Sequence, residues 1–264
     1  MLSIMQADKR IHRVLRGAAA VAFWVTVWWL VAAGVKQEIL VPTPLVVVKT
    51  LWSLMFSAVF WQAVGLSLLR ISAGFAAALA AGTLLAVLCR RFSLLHTLFS
   101  PLLHVVRAAP VASFIILTLV WFHVEAVPVF ISFLMVLPIV FVNVEEGICR
   151  TDKQLLEMAA AYRLSHRRVV KHVYVPSVMP FFVTSCVNGL GFAWKSGIAA
   201  EVICRPAWSI GRQLQGAKLS LETPEVFAWT ATVVILSLLL EKGLLLLTDA
   251  VRHGAKGVRD HDNL

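Results

Sequence analysis

Four uncharged apolar runs, 17–35, 71–89, 126–144 and 172–194, constrain this chain more than any other feature. Each approaches the length of about 20 residues that a helix needs to cross roughly 30 Å of hydrocarbon. Two further apolar stretches are interrupted: 95–122 carries Arg107, and 226–248 carries the adjacent Glu241 and Lys242. The expectation is an all-α, polytopic membrane protein with about six spans, near 17–35, 63–89, 95–122, 126–148, 173–200 and 226–248, forming one membrane domain over 17–248. Composition agrees, because 59% of the 264 residues are hydrophobic and only 14% are charged, against about 25% charged in a soluble domain. A soluble fold of this length could not cover its surface with so few polar groups.

A net charge of +10 raises nucleic acid as a partner, and the placement of the charges argues against it. Basic residues flank the apolar runs on alternate connections, with no aromatic-interleaved basic surface suited to bases. With six spans, one side collects 15 Lys and Arg, from the segment 1–16, the turn at Arg90 and Arg91, the stretch 150–171 and the tail 249–264. The other side collects 5, namely Lys36, Lys49, Arg205, Arg212 and Lys218. Positive charge stays inside, so both ends are expected in the cytoplasm. The run from Gly17 lacks a following small-residue cleavage site and reads as an anchor. Between Pro42-Thr43-Pro44 and Trp61 the apolar stretch reads as an interfacial helix. Leu66, Leu69 and Ala73 beside Arg70 suggest that the second span begins amphipathically, with Arg70 near the surface.

Catalysis finds little support. Neither HExxH nor GxSxG occurs, and His96, His104, His123, His166 and His172 are spread over both expected faces. Cys89, Cys149, Cys186 and Cys204 are far apart and form no metal-type cluster, so neither metal nor cofactor is expected. No G-x-x-x-x-G-K-[ST] loop is present to cradle phosphates. A membrane-embedded enzyme, or a structural or sensory membrane subunit, stands as the alternative class.

The longest charged stretch runs from Cys149 to Lys171 and leads into Val175-Pro176 and Pro180. Thr151 or Asp152 can cap a helix there, after which Leu155, Met158, Ala159 and Tyr162 fall on one side. Ala159, Ala160 and Ala161 permit close approach by another surface. Taken alone the stretch is compatible with an ordinary basic loop. With Glu157, the alanines, Ser165 and Val175-Pro176 it resembles the coupling segment of permease subunits of bacterial ATP-binding-cassette importers, whose pattern is Glu-Ala-Ala, a glycine, and later a Leu-Pro pair. Other stretches resemble the nitrate, sulfonate, taurine and thiamine-precursor branch: Val41-Pro42-Thr43-Pro44, Ser67-Leu68-Leu69-Arg70 with Gly74-Phe75, Arg107-Ala108-Ala109-Pro110 through Trp121-Phe122, and Gly189 to Trp194 with Ala200-Glu201. The likeness covers roughly residues 40 to 245.

This resemblance implies a type I importer permease fold in a bacterial inner membrane, without catalytic activity of its own. It implies two cytoplasmic ATP-binding subunits, a second permease copy and an extracytoplasmic solute-binding protein as partners, besides the lipid bilayer. Within a coupling segment 150–172 and the proline that follows it, Glu157, Ala159, Ala160, Arg163, Leu164, Ser165 and Pro176 would engage the ATPase. The solute would be a small organic anion such as a sulfonate, taurine or nitrate, or a thiamine-precursor-like heterocycle. One position departs from the pattern, because Arg163 stands where the family has glycine. Arginine resists the positive φ that glycine permits. Either the turn is built differently or the helix runs on, leaving Arg163 to contact the ATPase or lipid headgroups.

Charges inside spans are costly and usually face a pathway or a partner. Candidates for a translocation path are Lys195, Glu201, Trp194 and Arg107. Lys195 either pairs with Glu201 within its helix or offers positive charge to a passing anion, and Arg107 is either structural or exposed to solute. Glycines 189, 191 and 197 permit close helix packing or local unwinding.

Overall fold

Backbone N–H and C=O groups in hydrocarbon must be satisfied within their own segment, and this chain meets that requirement with helices. The computed structural model describes the backbone of residues 2–261 and the side chains of 16–246 and Thr248. The basic side chains of Lys9, Arg10, Arg13, Arg252, Lys256 and Arg259, counted above for orientation, lie outside the described side chains. Residues 1 and 262–264 of the two terminal segments lie outside the described residues. The helices are α1 Leu2–Val35, α2 Pro44–Met55, α3 Ala58–Arg91, α4 Ser93–Ala108, α5 Val111–Thr118, α6 Val127–Cys149, α7 Lys153–Ala161, α8 His166–Val169, α9 Val175–Cys204, α10 Ile210–Leu219 and α11 Thr223–His261. A single π turn, Val170–Tyr174, joins α8 to α9, so that His166–Cys204 runs as one rod of 39 residues. No strand occurs among the described residues, and the all-α expectation holds.

Five helices are long and apolar enough to cross a membrane: Arg16–Val35, Ala58–Arg91, Val127–Cys149, His166–Cys204 and Thr223–Leu246. A sixth span is obtained when α4 and α5 are taken together. The stretch 95–122 is therefore not the single straight helix that its hydropathy suggests. Its two helices bend by 106° at Ala109-Pro110. Proline lacks an N–H and pushes the preceding residue out of the α region, and Ala109 accordingly has φ −80° and ψ 144°. The chain over 119–122 then leaves helical geometry. The apolar stretch after Pro42 forms α2, whose 12 residues extend about 18 Å, too short to span.

The chain divides into two compact units. The first comprises 1–61 and 213–232. In it Trp28 stacks on Phe227 and Phe60 on Trp229, with centroids 5.7 and 5.2 Å apart. The Thr223 hydroxyl donates to the Ile39 carbonyl at 2.5 Å, tying the α1–α2 connection to the start of α11.

The second unit comprises 62–212 and 233–264. Its most extensive helix pair is α6 with α9, and α6 is the most enclosed of the long helices. Val106, Ile115, Val127, Ile131, Met135 and Ala200 form one apolar cluster joining α4, α5, α6 and α9. Helix α3 approaches this pair at glycines. A Cβ on Gly74 would overlap the Val129 carbonyl oxygen of α6, and one on Gly197 would come within 2.6 Å of both Ile71 of α3 and Ser132 of α6. Small residues allow such approach, and dispersion across the contact drives association where lipid removes the hydrophobic incentive. Ser132 adds a hydroxyl donation to the Ala193 carbonyl at 3.2 Å. By contrast nothing lies within 4 Å of a Cβ on Gly191.

Gly74→Val is therefore expected to lower stability by about 3 kcal/mol or more, through overpacking against backbone that cannot yield. Gly191→Ala should leave it within about 0.5 kcal/mol. Thermal unfolding of both variants in detergent, followed by circular dichroism, checks the pair.

Candidate functional site

The segment between α6 and the His166–Cys204 rod builds a short, sharply bounded helix. Asp152 caps α7, its carboxylate accepting from the Gln154 N–H at 2.8 Å, which satisfies one of the orphan donors of the first turn. Only Ala159 of α7 is fully buried. Leu155, Met158 and Tyr162 are exposed, at 40%, 49% and 76%, so Ala159 packs inward while these three apolar side chains stand open. Glu157 is also exposed, on the same short helix.

The helix ends in a left-handed turn. Arg163 has φ 52°, its N–H donates to the Ala160 carbonyl and the Leu164 N–H donates to the Ala159 carbonyl, both at 3.0 Å. This is the paired hydrogen-bond pattern of a Schellman cap. The two alternatives raised for Arg163 are both corrected: the helix does not run on, and the turn has the form a glycine would give it. The two carbonyl bonds offset the cost of about 1–2 kcal/mol for a side chain in left-handed geometry. Ser165 then precedes α8 in extended conformation, and Pro176 falls in the first turn of α9. The π turn lies just before it, with the Val175 N–H reaching back to the Val170 carbonyl. Widening the turn relieves the crowding that Pro176 imposes on the carbonyl four residues earlier.

The path candidates separate. Lys195 is exposed on α9, on a stripe with Thr184, Asn188, Phe192 and Ala199. Arg107 is exposed at the end of α4. Trp194 faces the other way: it is 1% exposed and its indole N–H donates to the Val233 carbonyl at 3.0 Å. Glu201 is wholly buried and does not pair with Lys195. The Ser67 hydroxyl donates to Glu201 Oε2 at 2.7 Å and the Gly211 N–H to the same oxygen at 3.3 Å, while Arg70 Nη1 stands 4.0 Å from Oε1.

Arg70 is thus not a surface residue at the start of its span. Its Nη2 donates to Glu125 and, at 3.0 Å, to the Ala207 carbonyl, and its side chain is only 13% exposed. Glu125 in turn accepts the Ala207 N–H at 2.7 Å, and Ser67 accepts the Ile210 N–H at 3.0 Å. Five pieces of chain, α3, the α5–α6 connection, the end of α9, the α9–α10 turn and the start of α10, meet in this network. Glu125 was not singled out from the sequence, and Ser67 entered only within the stretch Ser67-Leu68-Leu69-Arg70, without a role of its own. The signal available was a charge, Arg70, inside an apolar helix, which calls for a partner. Among the described residues no three His, Cys, Asp or Glu side chains come together as metal ligands.

Residues 74–252 match the family described as binding-protein-dependent transport system inner membrane component. The chain is similar to the taurine transport system permease protein TauC of Escherichia coli (strain K12), at 26% identity over 88% of this chain and 87% of that one. It is also similar to the nitrate import permease protein NrtB of Synechocystis sp. (strain ATCC 27184 / PCC 6803 / Kazusa), at 24% identity over 90% of each chain.

Removing one member of the network leaves an uncompensated buried charge. Arg70→Met is expected to cost about 3–5 kcal/mol, and adding Glu201→Leu should recover most of that loss. Unfolding midpoints of the single and double variants in one detergent give the comparison.

Proposed function

This chain belongs to the binding-protein-dependent transport system inner membrane component family, and from that membership we propose that it forms the translocation path of an ATP-driven importer and couples it to a partner ATPase through residues 150–176. The observation that carries the coupling role is the capped helix α7, whose exposed Leu155, Met158 and Tyr162 present an apolar face with Glu157 beside it. Such a face is what a docking helix offers to a hydrophobic groove. In this reading Glu157, Ala160, Leu164 and Ser165 engage the ATPase, Ala159, expected to do so, is buried and instead seats α7 against its own chain, and Arg163 contributes through its backbone geometry. Pro176 fixes where the following span begins.

The chain itself carries out no hydrolysis. Two ATP-binding subunits, a second permease copy and an extracytoplasmic solute-binding protein complete the transporter, and both ends of the chain face the cytoplasm, in keeping with the placement of Lys and Arg. The solute is a small organic or inorganic anion. Two relatives are named for taurine and nitrate, and Lys195 with Thr184 and Asn188 supplies a polar stripe on an open face of α9. That stripe favours an anion over a thiamine-precursor-like heterocycle. Arg107 is a second cation open to the path, whereas buried Trp194 and Glu201 hold the helix that carries Lys195.

Affinity capture of the ATPase on the tagged chain should be lost on Glu157→Arg and kept on Cys186→Ala. Capture undiminished by the charge reversal would remove the coupling role from α7. For the path, uptake of labelled taurine by cells carrying the transporter should fall about tenfold or more on Lys195→Ala, the loss of one charged hydrogen bond, and return on Lys195→Arg. Unchanged uptake would make Lys195 a lipid-facing or structural residue.

A further inference from the structure

Two adjoining hollows of about 690 and about 590 Å³ lie in the second unit. They share Thr83, Val87 and Phe182 as lining and so form one groove along α3. Each falls in the range of about 300–1,000 Å³ typical of small-molecule sites. The shallower part follows a single stripe of α3 through Ala76, Ala80, Thr83 and Leu84, where the alanines leave an open trough. The wider part is walled by Val144 and Ile148 of α6 and by Val178 of α9. Its mouth is different in kind, because Arg90 and Arg91 at the end of α3 and His166 at the start of α8 line it.

Neither arginine has a carboxylate partner among the described residues. Arg91 lies over the Phe92 ring at 5.7 Å, which holds its guanidinium at the rim while leaving its donors available. The apolar part of the groove, from Ala76 to Val87, runs along 11 residues of helix, about 17 Å, with Arg90 one turn further on. Half a bilayer's hydrocarbon is roughly 15 Å, so the apolar stretch matches one leaflet and the cations stand at headgroup depth.

We propose that this groove is a binding site for an anionic phospholipid, with one acyl chain along α3 and the phosphate on Arg90 and Arg91. Charge complementarity selects the occupant: a detergent-like apolar slot ending in two unpaired guanidinium groups fits an anionic lipid and leaves a zwitterionic one with an unmatched cation. Because α8 and the π turn form one wall, the bound lipid braces the rod that carries α7 and α9. The site takes no part in solute passage, and of the proposed coupling segment it uses only the wall formed by His166, Val170, Tyr174 and Val175.

The full chain, purified in mild detergent and titrated with phosphatidylglycerol or phosphatidylcholine of identical acyl chains, is read by native mass spectrometry. Phosphatidylglycerol should bind preferentially, and Arg90→Gln with Arg91→Gln should weaken it by about tenfold or more, as loss of two headgroup cations implies. Val178→Trp, which fills the slot and alters no charge, should reduce binding of both lipids. Arg167→Gln with Lys171→Gln, basic residues that do not line the groove, should leave binding unchanged. Millimolar inorganic phosphate should not displace the lipid. Equal binding of the two lipids, equal losses in the two basic double variants, indifference to Val178→Trp in a variant that elutes as folded protein, or displacement by phosphate alone would each overturn the proposal.

Discussion

The approach of α3 to α6 and α9 at Gly74 and Gly197 is the contact on which the second unit depends. Lipid is as apolar as the side chains it surrounds, so nothing is gained by hiding leucine from it, and close packing must supply the attraction. The same contact places the polar groups. Ser67, Arg70, Ile71 and Gly74 recur at helical spacing along one face of α3, and Gly197 and Glu201 lie four residues apart on α9. Once Ile71 sits against Gly197, Ser67 and Arg70 are one turn away from Glu201. Widening the helix pair by a single side chain would separate the carboxylate from its donors.

That dependence explains how a buried carboxylate is tolerated. An ionisable group within a span is costly unless it is partnered, and Glu201 has a hydroxyl, a backbone N–H and a guanidinium around it. The network also extends beyond the spans. Arg205 and Trp208 in the α9–α10 turn hold positive φ, at 53° and 49°, an unfavourable geometry for side chains of this size. Ala207 between them is gripped at its N–H by Glu125 and at its carbonyl by Arg70. The strained turn is therefore fixed from outside itself, by residues more than 80 positions earlier in sequence.

What could be read from the sequence was what local sums determine. Hydropathy over about 20 residues located the long helices, and the Asp152 cap and the apolar side of α7 followed from short spacings. The bend at Pro110 was available from the proline rules, but the continuous hydropathy of 95–122 masked it. Pairings between distant segments were not legible. Arg70 looked amphipathic beside Leu66, Leu69 and Ala73, while its partners Glu125 and Glu201 lie in other helices and connections. Lys195 and Glu201 are a different case, because six residues along a helix turn through about 240°, which puts them on different sides and rules out the pair by arithmetic. Arg163 shows the reverse failure: a sound residue preference was outweighed by two backbone hydrogen bonds that the turn makes available.

The π turn at Val170–Tyr174 has a consequence for angular register. One added residue in a helical rod rotates everything beyond it by about 100° relative to an uninterrupted α-helix. Helix α7 and its exposed apolar side are therefore aimed by a phase offset stored in five residues, not by the rod as a whole. Pro176 keeps that offset in place, because closing the π turn into ordinary α geometry would bring its ring back against the carbonyl four residues earlier, so the direction in which α8 leads toward α7 is set by a ring that cannot donate a hydrogen bond.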